Sequence, residues 1–163
     1  MNRQILKAIG GVSLAILVAV FAQVWVSAQE QAGNEPSLVG SCDAKITGRD
    51  CETGTPGPFS FPALVTYAQG GTMQETDLGG PGLVRLPGHG IWERKSGRQY
   101  SAAFRFLNFN LDRTFAGTNV IRSAISLSHS GNEYTSSDSL EVLDANGNVV
   151  FRACSTQTAT RFR

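Results

Sequence analysis

The imidazole of His89 is the side chain best placed to do chemistry, because it lies between two glycines. Flanking glycines leave an imidazole accessible, and an accessible imidazole can transfer protons or contact a ligand near neutral pH. Glu75 and Asp77 are two residues apart, so they project from the same face of a strand. A return of the chain could bring His89 beside them, where a carboxylate would orient the ring. The alternatives are a histidine that hydrogen-bonds loop backbone and carboxylates on a solvated strand face.

Other site chemistries find little support in the sequence. The chain has only two histidines, His89 and His129, so a three-histidine zinc site cannot be built, and we expect neither a metal nor a cofactor. No Gly-x-Ser-x-Gly motif is present for a serine nucleophile. The run Gly79-Gly80-Pro81-Gly82 lacks the Lys-Ser/Thr pair of a phosphate loop. A formal charge of +1 on 163 residues gives no electrostatic basis for binding nucleic acid.

Aromatic and aliphatic residues alternate along several segments and form a candidate ligand-binding lining. These residues are Phe61, Val65, Tyr67, Trp92, Tyr100, Phe104, Phe106, Ile121, Ile125 and Leu140. The same set could instead form a close-packed core. Asp138 is anomalous, because alternation places it on the face of Leu140 although a buried carboxylate needs a partner. Arg122 or Arg161 could provide that partner, and Arg161 would then close one end of the fold.

The three cysteines, Cys42, Cys51 and Cys154, favour one disulfide and one free thiol in an oxidising compartment. A bond from Cys42 or Cys51 to Cys154 would join the first strand to the last, whereas Cys42 to Cys51 would close a local loop. The sequence leaves these three pairings open.

The N-terminal segment is typical of an export signal. Two basic residues precede an apolar run from Ala8 to Val26, which ends at Val26-Ser27-Ala28 with small residues at a cleavage site. We therefore predict a signal peptide over 1–28, a polar linker over 29–36, a domain over 37–163, and a periplasmic or extracellular location. The alternative is an uncleaved membrane-anchoring helix, since the run approaches the length of a spanning helix. It would be the only membrane contact, and the oligomeric state is open.

Downstream of the linker the apolar pattern has period two and is interrupted by glycine turns, which predicts an all-β domain. The expected strands are Leu38 to Arg49, Phe59 to Ala68, Thr72 to Asp77, His89 to Lys95, Arg98 to Phe109, Thr118 to Ser128, Glu133 to Leu143 and Val149 to Phe162. Leu78 to Gly88, rich in glycine and proline, is expected to be a long loop at a barrel mouth. Eight strands with short hairpins favour an up-and-down antiparallel barrel over a β-sandwich, because closure removes exposed edges.

Several short motifs carry a family resemblance. Leu38-Val39-Gly40-Ser41-Cys42 matches a Gly-x-Trp opening with Cys42 in place of the tryptophan, and further motifs are Gly70-Gly71-Thr72, Glu75-Thr76-Asp77, the segment Pro87 to Glu93 and Thr158 to Arg161. In these the chain resembles small secreted bacterial proteins with lipocalin-like barrels of the calycin group, including the allene-oxide-cyclase-like proteins. The resemblance implies an eight-stranded barrel over residues 37–163. It also implies an isomerase- or cyclase-like activity as an alternative to ligand binding.

Three functions follow as hypotheses. The first is an exported barrel that binds a small apolar or amphipathic molecule inside, without catalysis. The second is an isomerase- or cyclase-like enzyme that uses His89. The third is a structural envelope protein with a filled core.

Overall fold

The computed structural model describes residues 36–162, which form one antiparallel sheet of nine strands without a helix. The strands are β1 (Gly40–Arg49), β2 (Pro56–Tyr67), β3 (Thr72–Asp77), β4 (Leu83–Arg85), β5 (Gly88–Ser96), β6 (Gln99–Asn110), β7 (Phe115–Leu127), β8 (Glu133–Asp144) and β9 (Val149–Arg161). The predicted signal peptide or N-terminal helix, and residues 29–35 of the predicted linker, lie outside the described residues. Within residues 36–162 no helix is present that could cross a membrane.

The sheet closes into a ring. Neighbouring strands pair in the order β1, β2, β3, β5, β6, β7, β8, β9, and β9 pairs with β1 again from Cys42 opposite Arg161 to Arg49 opposite Cys154. Closure satisfies backbone hydrogen bonds that the first and last strands of an open sheet would leave exposed. The predicted all-antiparallel arrangement of strands joined mainly by short hairpins is confirmed.

Strand β4 corrects the expected loop from Leu78 to Gly88. Residues 78–82 and 86–87 are irregular, while Leu83–Arg85 pairs with the end of β6 opposite Asn108 to Asn110. The amide of Leu86 continues this edge by donating to the carbonyl of Leu107 at 3.0 Å. Three residues flanked by glycine and proline carry too little local pattern to be recognised as a strand. Their conformation comes from pairing with β6, which is a tertiary contact.

Side chains alternate between the inside and the outside of the ring, as period two requires. On β7, Ile125 and Leu127 are buried while Ala124 and Ser126 are exposed. The buried core includes four alanines that face inward, Ala44, Ala63, Ala102 and Ala159.

One end of the ring, which we call the closed end, is filled by aromatic side chains and the segment before β1. Leu38 is completely buried there. Tyr67 packs edge-on against Trp92 and Tyr134, with ring centroids 6.1 and 5.8 Å apart, and its hydroxyl donates to that of Tyr134 at 3.3 Å. Tyr100 packs on Trp92 and donates to the carbonyl of Pro36 at 3.2 Å.

Arg161 lies at the closed end, where it binds backbone carbonyls and not Asp138, the partner expected from the sequence. Its guanidinium donates to the backbone carbonyls of Ser37, Val39 and Gly131. Arginine suits this role because its planar fork of donors reaches several acceptors at once. Arg161 therefore binds the segment before β1 to the β7–β8 turn.

Cys51 and Cys154 lie within disulfide distance, with their Cα atoms 5.2 Å apart. Cys51 follows the end of β1 and Cys154 lies on β9, so the pair joins the two strands that close the ring. This is one of the three pairings left open by the sequence. Cys42 is the free, buried cysteine on the inward face of β1, where burial raises the pKa of its thiol although nearby Arg161 opposes the shift.

Candidate functional site

A cavity of about 400 Å³ occupies the interior at the end opposite the closed end. We call this the open end; it carries the connections at residues 50–55, 78–82, 111–114 and 145–148. Phe59 and Phe151 line the cavity and are 61% and 58% exposed, which shows that its mouth reaches solvent. Its volume falls in the range of about 300–1,000 Å³ typical of small-molecule sites.

The cavity walls are mainly apolar. The apolar lining consists of Ile46, Phe59, Phe61, Val65, Tyr67, Met73, Pro81, Phe104, Phe106, Ile121, Leu140, Phe151 and Ala153. Apart from Pro81 in the 78–82 connection, these residues occupy alternate positions on β1, β2, β3, β6, β7, β8 and β9, so the lining follows from the inward alternation. An apolar molecule could therefore leave water by entering this space.

The structure brings seven of the ten expected lining residues to the cavity, namely Phe61, Val65, Tyr67, Phe104, Phe106, Ile121 and Leu140. The other three, Trp92, Tyr100 and Ile125, pack in or against the core toward the closed end. They point inward as expected, but at a level where the ring is filled. Alternation predicts which face of the sheet a residue takes, whereas only the closed ring determines how far the residue lies from the open end.

Glu75 and Asp77 face the interior and share a single cation, Arg85 of β4. We call these three residues the Arg85 cluster. Arg85 donates to Glu75 through Nη2, and its Nε lies 3.1 Å from Oδ1 of Asp77. The Arg85 guanidinium also stacks over the ring of Phe106, with its central carbon 3.7 Å from the ring centroid. Sequence reasoning missed Arg85 because it lay within the expected loop.

The 78–82 connection covers the Arg85 cluster. The amide of Gly79 donates to Oδ1 of Asp77 at 2.6 Å. Gly79 has a φ of 73°, and a Cβ placed there would lie 2.9 Å from Cβ of Arg85. Glycine is therefore required both for this backbone conformation and for close packing on Arg85. Because Gly79, Gly80 and Pro81 also line the cavity, this connection forms part of its mouth.

The electrostatic environment of Glu75 is unusual. The residue is 2% exposed, and its Oε1 finds no hydrogen-bond partner among residues 36–162. Burial raises the pKa of Glu75 to about 7, because desolvation outweighs the attraction of Arg85, and Asp77 raises it further. Glu75 can therefore exchange a proton near neutral pH at the cavity wall.

Asp138 lies on β8, across the ring from Glu75, because three strands separate β3 from β8 in either direction. It is 7% exposed and lines the cavity. Burial raises its pKa, while the hydroxyls of Ser123, Ser136 and Ser155 and the charge of Arg49 oppose that shift. The expected partners are wrong, since Arg122 pairs with Glu141 and Arg161 binds the closed end.

His89 lies on the outer surface of β5, opposite Gln74 and Arg105, and is exposed. Glu75 pairs with Gly88 instead, so a single step along the strand places the imidazole and the carboxylates on opposite faces of the sheet. The two glycines that flank His89 are required by close packing against neighbouring residues, and not by the imidazole. A Cβ on Gly88 would approach Phe104 and Oε2 of Glu75, and one on Gly90 would lie 2.1 Å from the carbonyl oxygen of Ala103.

The arrangement can bind a molecule by apolar contact and hold a polar group of it at either buried carboxyl. Residues 36–162 contain no group of three or more histidine, cysteine, aspartate or glutamate side chains that could hold a metal ion.

Searches of family models, curated proteins and solved structures find no significant match to this chain.

Proposed function

We propose that this protein is an exported, calycin-like barrel that binds a small apolar or amphipathic molecule in its interior. The observation that carries the proposal is the cavity of about 400 Å³, apolar over most of its wall and open at one end. The filled closed end supports it, because a molecule entering from the mouth would be held against the aromatic layer around Tyr67. A core evolved only for stability would be packed to a density that leaves few voids larger than a water molecule.

The buried charges also support binding rather than a purely structural role. Burying charged side chains costs free energy unless they are well paired, and apolar residues of similar size often serve stability as well or better. Glu75, Arg85 and Asp138 are nevertheless placed in or beside an apolar cavity. Perturbed titratable groups in a cleft are typical of functional sites. These considerations make a structural envelope protein the weaker alternative.

The enzymatic alternative based on His89 draws no support from the position of that residue, which lies outside the ring. An isomerase or cyclase acting inside the cavity could instead use Glu75, whose pKa near 7 suits proton transfer. Ligand binding needs only the cavity itself and is therefore the function the geometry supports best.

Export is supported by Cys51 and Cys154, because disulfides persist mainly in oxidising compartments. If the predicted signal is cleaved, mass spectrometry of the secreted or periplasmic protein will give a mature chain that begins at Gln29. A chain that retains residues 1–28 in the membrane fraction would instead support the anchor.

The binding proposal is tested with a neutral fluorescent probe, N-phenyl-1-naphthylamine, titrated into the purified full chain. We expect saturable uptake with one site per chain. The variant Ala153→Trp should abolish uptake, because Ala153 lines the cavity and an indole would fill part of it. Arg152→Trp is the matched control, since the neighbouring side chain is 69% exposed on the outer face. Absence of saturable uptake by the folded wild type, or equal uptake by both variants, would contradict the proposal.

A further inference from the structure

The carboxyl groups around the cavity outnumber the cations that pair with them. Glu75 and Asp77 share Arg85, and Asp138 on the opposite wall has no cation in salt-bridge contact among the described residues. An anionic ligand would add a further negative charge to this environment. A cationic ligand would supply the missing positive charge.

Asp138 is the group that points to a ligand. It is more than nine-tenths buried, it lines the cavity, and its Oδ1 has no hydrogen-bond partner among residues 36–162. Its other oxygen, Oδ2, accepts a long hydrogen bond of 3.4 Å from the hydroxyl of Ser155, and the hydroxyls of Ser123 and Ser136 lie close enough to lower the pKa of the carboxyl. Buried polar atoms are nearly always hydrogen-bonded, so an unpartnered carboxylate oxygen at a cavity wall needs an explanation.

Arg49 is the cation whose charge acts on Asp138, but two of its three nitrogens donate to other groups. Its Nε donates to the backbone carbonyl of Ser155 at 3.2 Å, and its Nη2 donates to the hydroxyl of Ser137 at 2.5 Å. Ser137 is exposed on the outer face of β8, one residue before Asp138. Arg49 therefore acts on Asp138 through space without forming a salt bridge with it.

We propose that the cavity selects an amphipathic amine, whose ammonium group binds Asp138 and whose apolar body lies along the aromatic and aliphatic walls. This inference rests on the proposed function and specifies its ligand class. The ammonium would donate to Oδ1, giving a charge-assisted hydrogen bond in a site shielded from water. Ser123, which also lines the cavity, offers a hydroxyl beside the same head group. The phenylalanines Phe61, Phe104 and Phe106 supply surface for the hydrocarbon.

The test compares ligands of one chain length that differ only in the head group. Octylamine, octanol and octanoate are each used at pH 7 to displace N-phenyl-1-naphthylamine from the full chain. We expect the amine to bind about tenfold or more tightly than the alcohol, and octanoate to bind least. Equal affinities, or a preference for octanoate, would overturn the inference while leaving the proposed function intact. Failure of the dye and all three ligands to bind would overturn both.

Variants at Asp138 test whether the preference for the amine depends on this residue. Asp138→Asn should lower the affinity for octylamine to about that for octanol, because the amide is nearly isosteric but uncharged. Asp138→Ser should do the same, since serines already surround the site. Asp43→Asn is the matched control, because Asp43 is exposed on the outer face of β1. An amine preference that survives in either folded Asp138 variant would overturn the assignment. If neither variant folds, the ranking of the three ligands on the wild type still decides the proposal.

Discussion

The cysteine pair across the closing strands allows a quantitative prediction. Cys51 and Cys154 are separated by 103 residues, so a bond between them closes a loop that includes most of the domain. Cross-linking a loop of about 100 residues removes enough conformational entropy from the unfolded chain to stabilise the folded state by about 4.7 kcal/mol. The double variant Cys51→Ala, Cys154→Ala should lose a free energy of unfolding of that order. Domains typically have only 5–15 kcal/mol of stability, so the loss should be large.

Urea unfolding followed by circular dichroism measures this loss, with the wild type and the double variant compared under oxidising conditions. Added reductant should lower the wild type to the level of the variant and leave the variant unchanged. Cys42→Ala, which removes the free thiol, serves as a control that remains sensitive to reductant. A loss below about 1 kcal/mol, or a variant that still responds to reductant, would refute the reasoning. The first result would mean that residual structure already restricts the unfolded chain.

Two further predictions concern the interior. Because the pKa of Glu75 is raised from 4.5 to about 7, its contribution to stability is complete below about pH 4.5 and is lost as the pH rises through 7. The stability of Glu75→Gln relative to the wild type should therefore rise by about 3 kcal/mol between pH 4.5 and pH 8 in urea titrations, and a flat difference would contradict the shift. Gly90→Ala should prevent or strongly destabilise folding, because the new Cβ would lie 2.1 Å from the carbonyl oxygen of Ala103. Gly80→Ala is the control and should change the melting temperature little, because the nearest atom to its new Cβ is a side-chain carbon of Leu83 at 3.8 Å. Equal melting temperatures for the two alanine variants would show that the close approach at Gly90 is not rigid.

Local sequence patterns were sufficient for most strands. β3 was predicted with the observed limits, and β8 differs from its expected range by one residue at the end. Turns such as that around Gly147, which has a φ of 88°, could also be expected, since Asn-Gly favours this backbone conformation. The aspartate that precedes it, Asp144, accepts from the amides of Asn146 and Asn148. Signals of this kind lie within a few residues and survive without tertiary context.

The site was only partly predictable. Alternation placed Phe104, Phe106 and Ile121 on the inward face, and it marked Asp138 as an inward carboxylate. It could not show that Arg85 lies inside, because β4 becomes a strand only by pairing with β6. It also could not show that His89 faces outward, because the register between β3 and β5 sets that face. A shift of one residue in that pairing would have reversed it.

The sequence by itself determined an all-β chain, its turns, and which side chains share a face, because period two and glycine placement are local properties. Tertiary structure decided the closure of β1 on β9, the Cys51 to Cys154 pairing, the depth of each inward residue and the partners of Glu75 and Asp138. The physical reason is that these features depend on strand register around a closed ring, where residues far apart in the chain must meet. Burial then raises the pKa values of the two carboxyl groups, and burial belongs to the folded state alone.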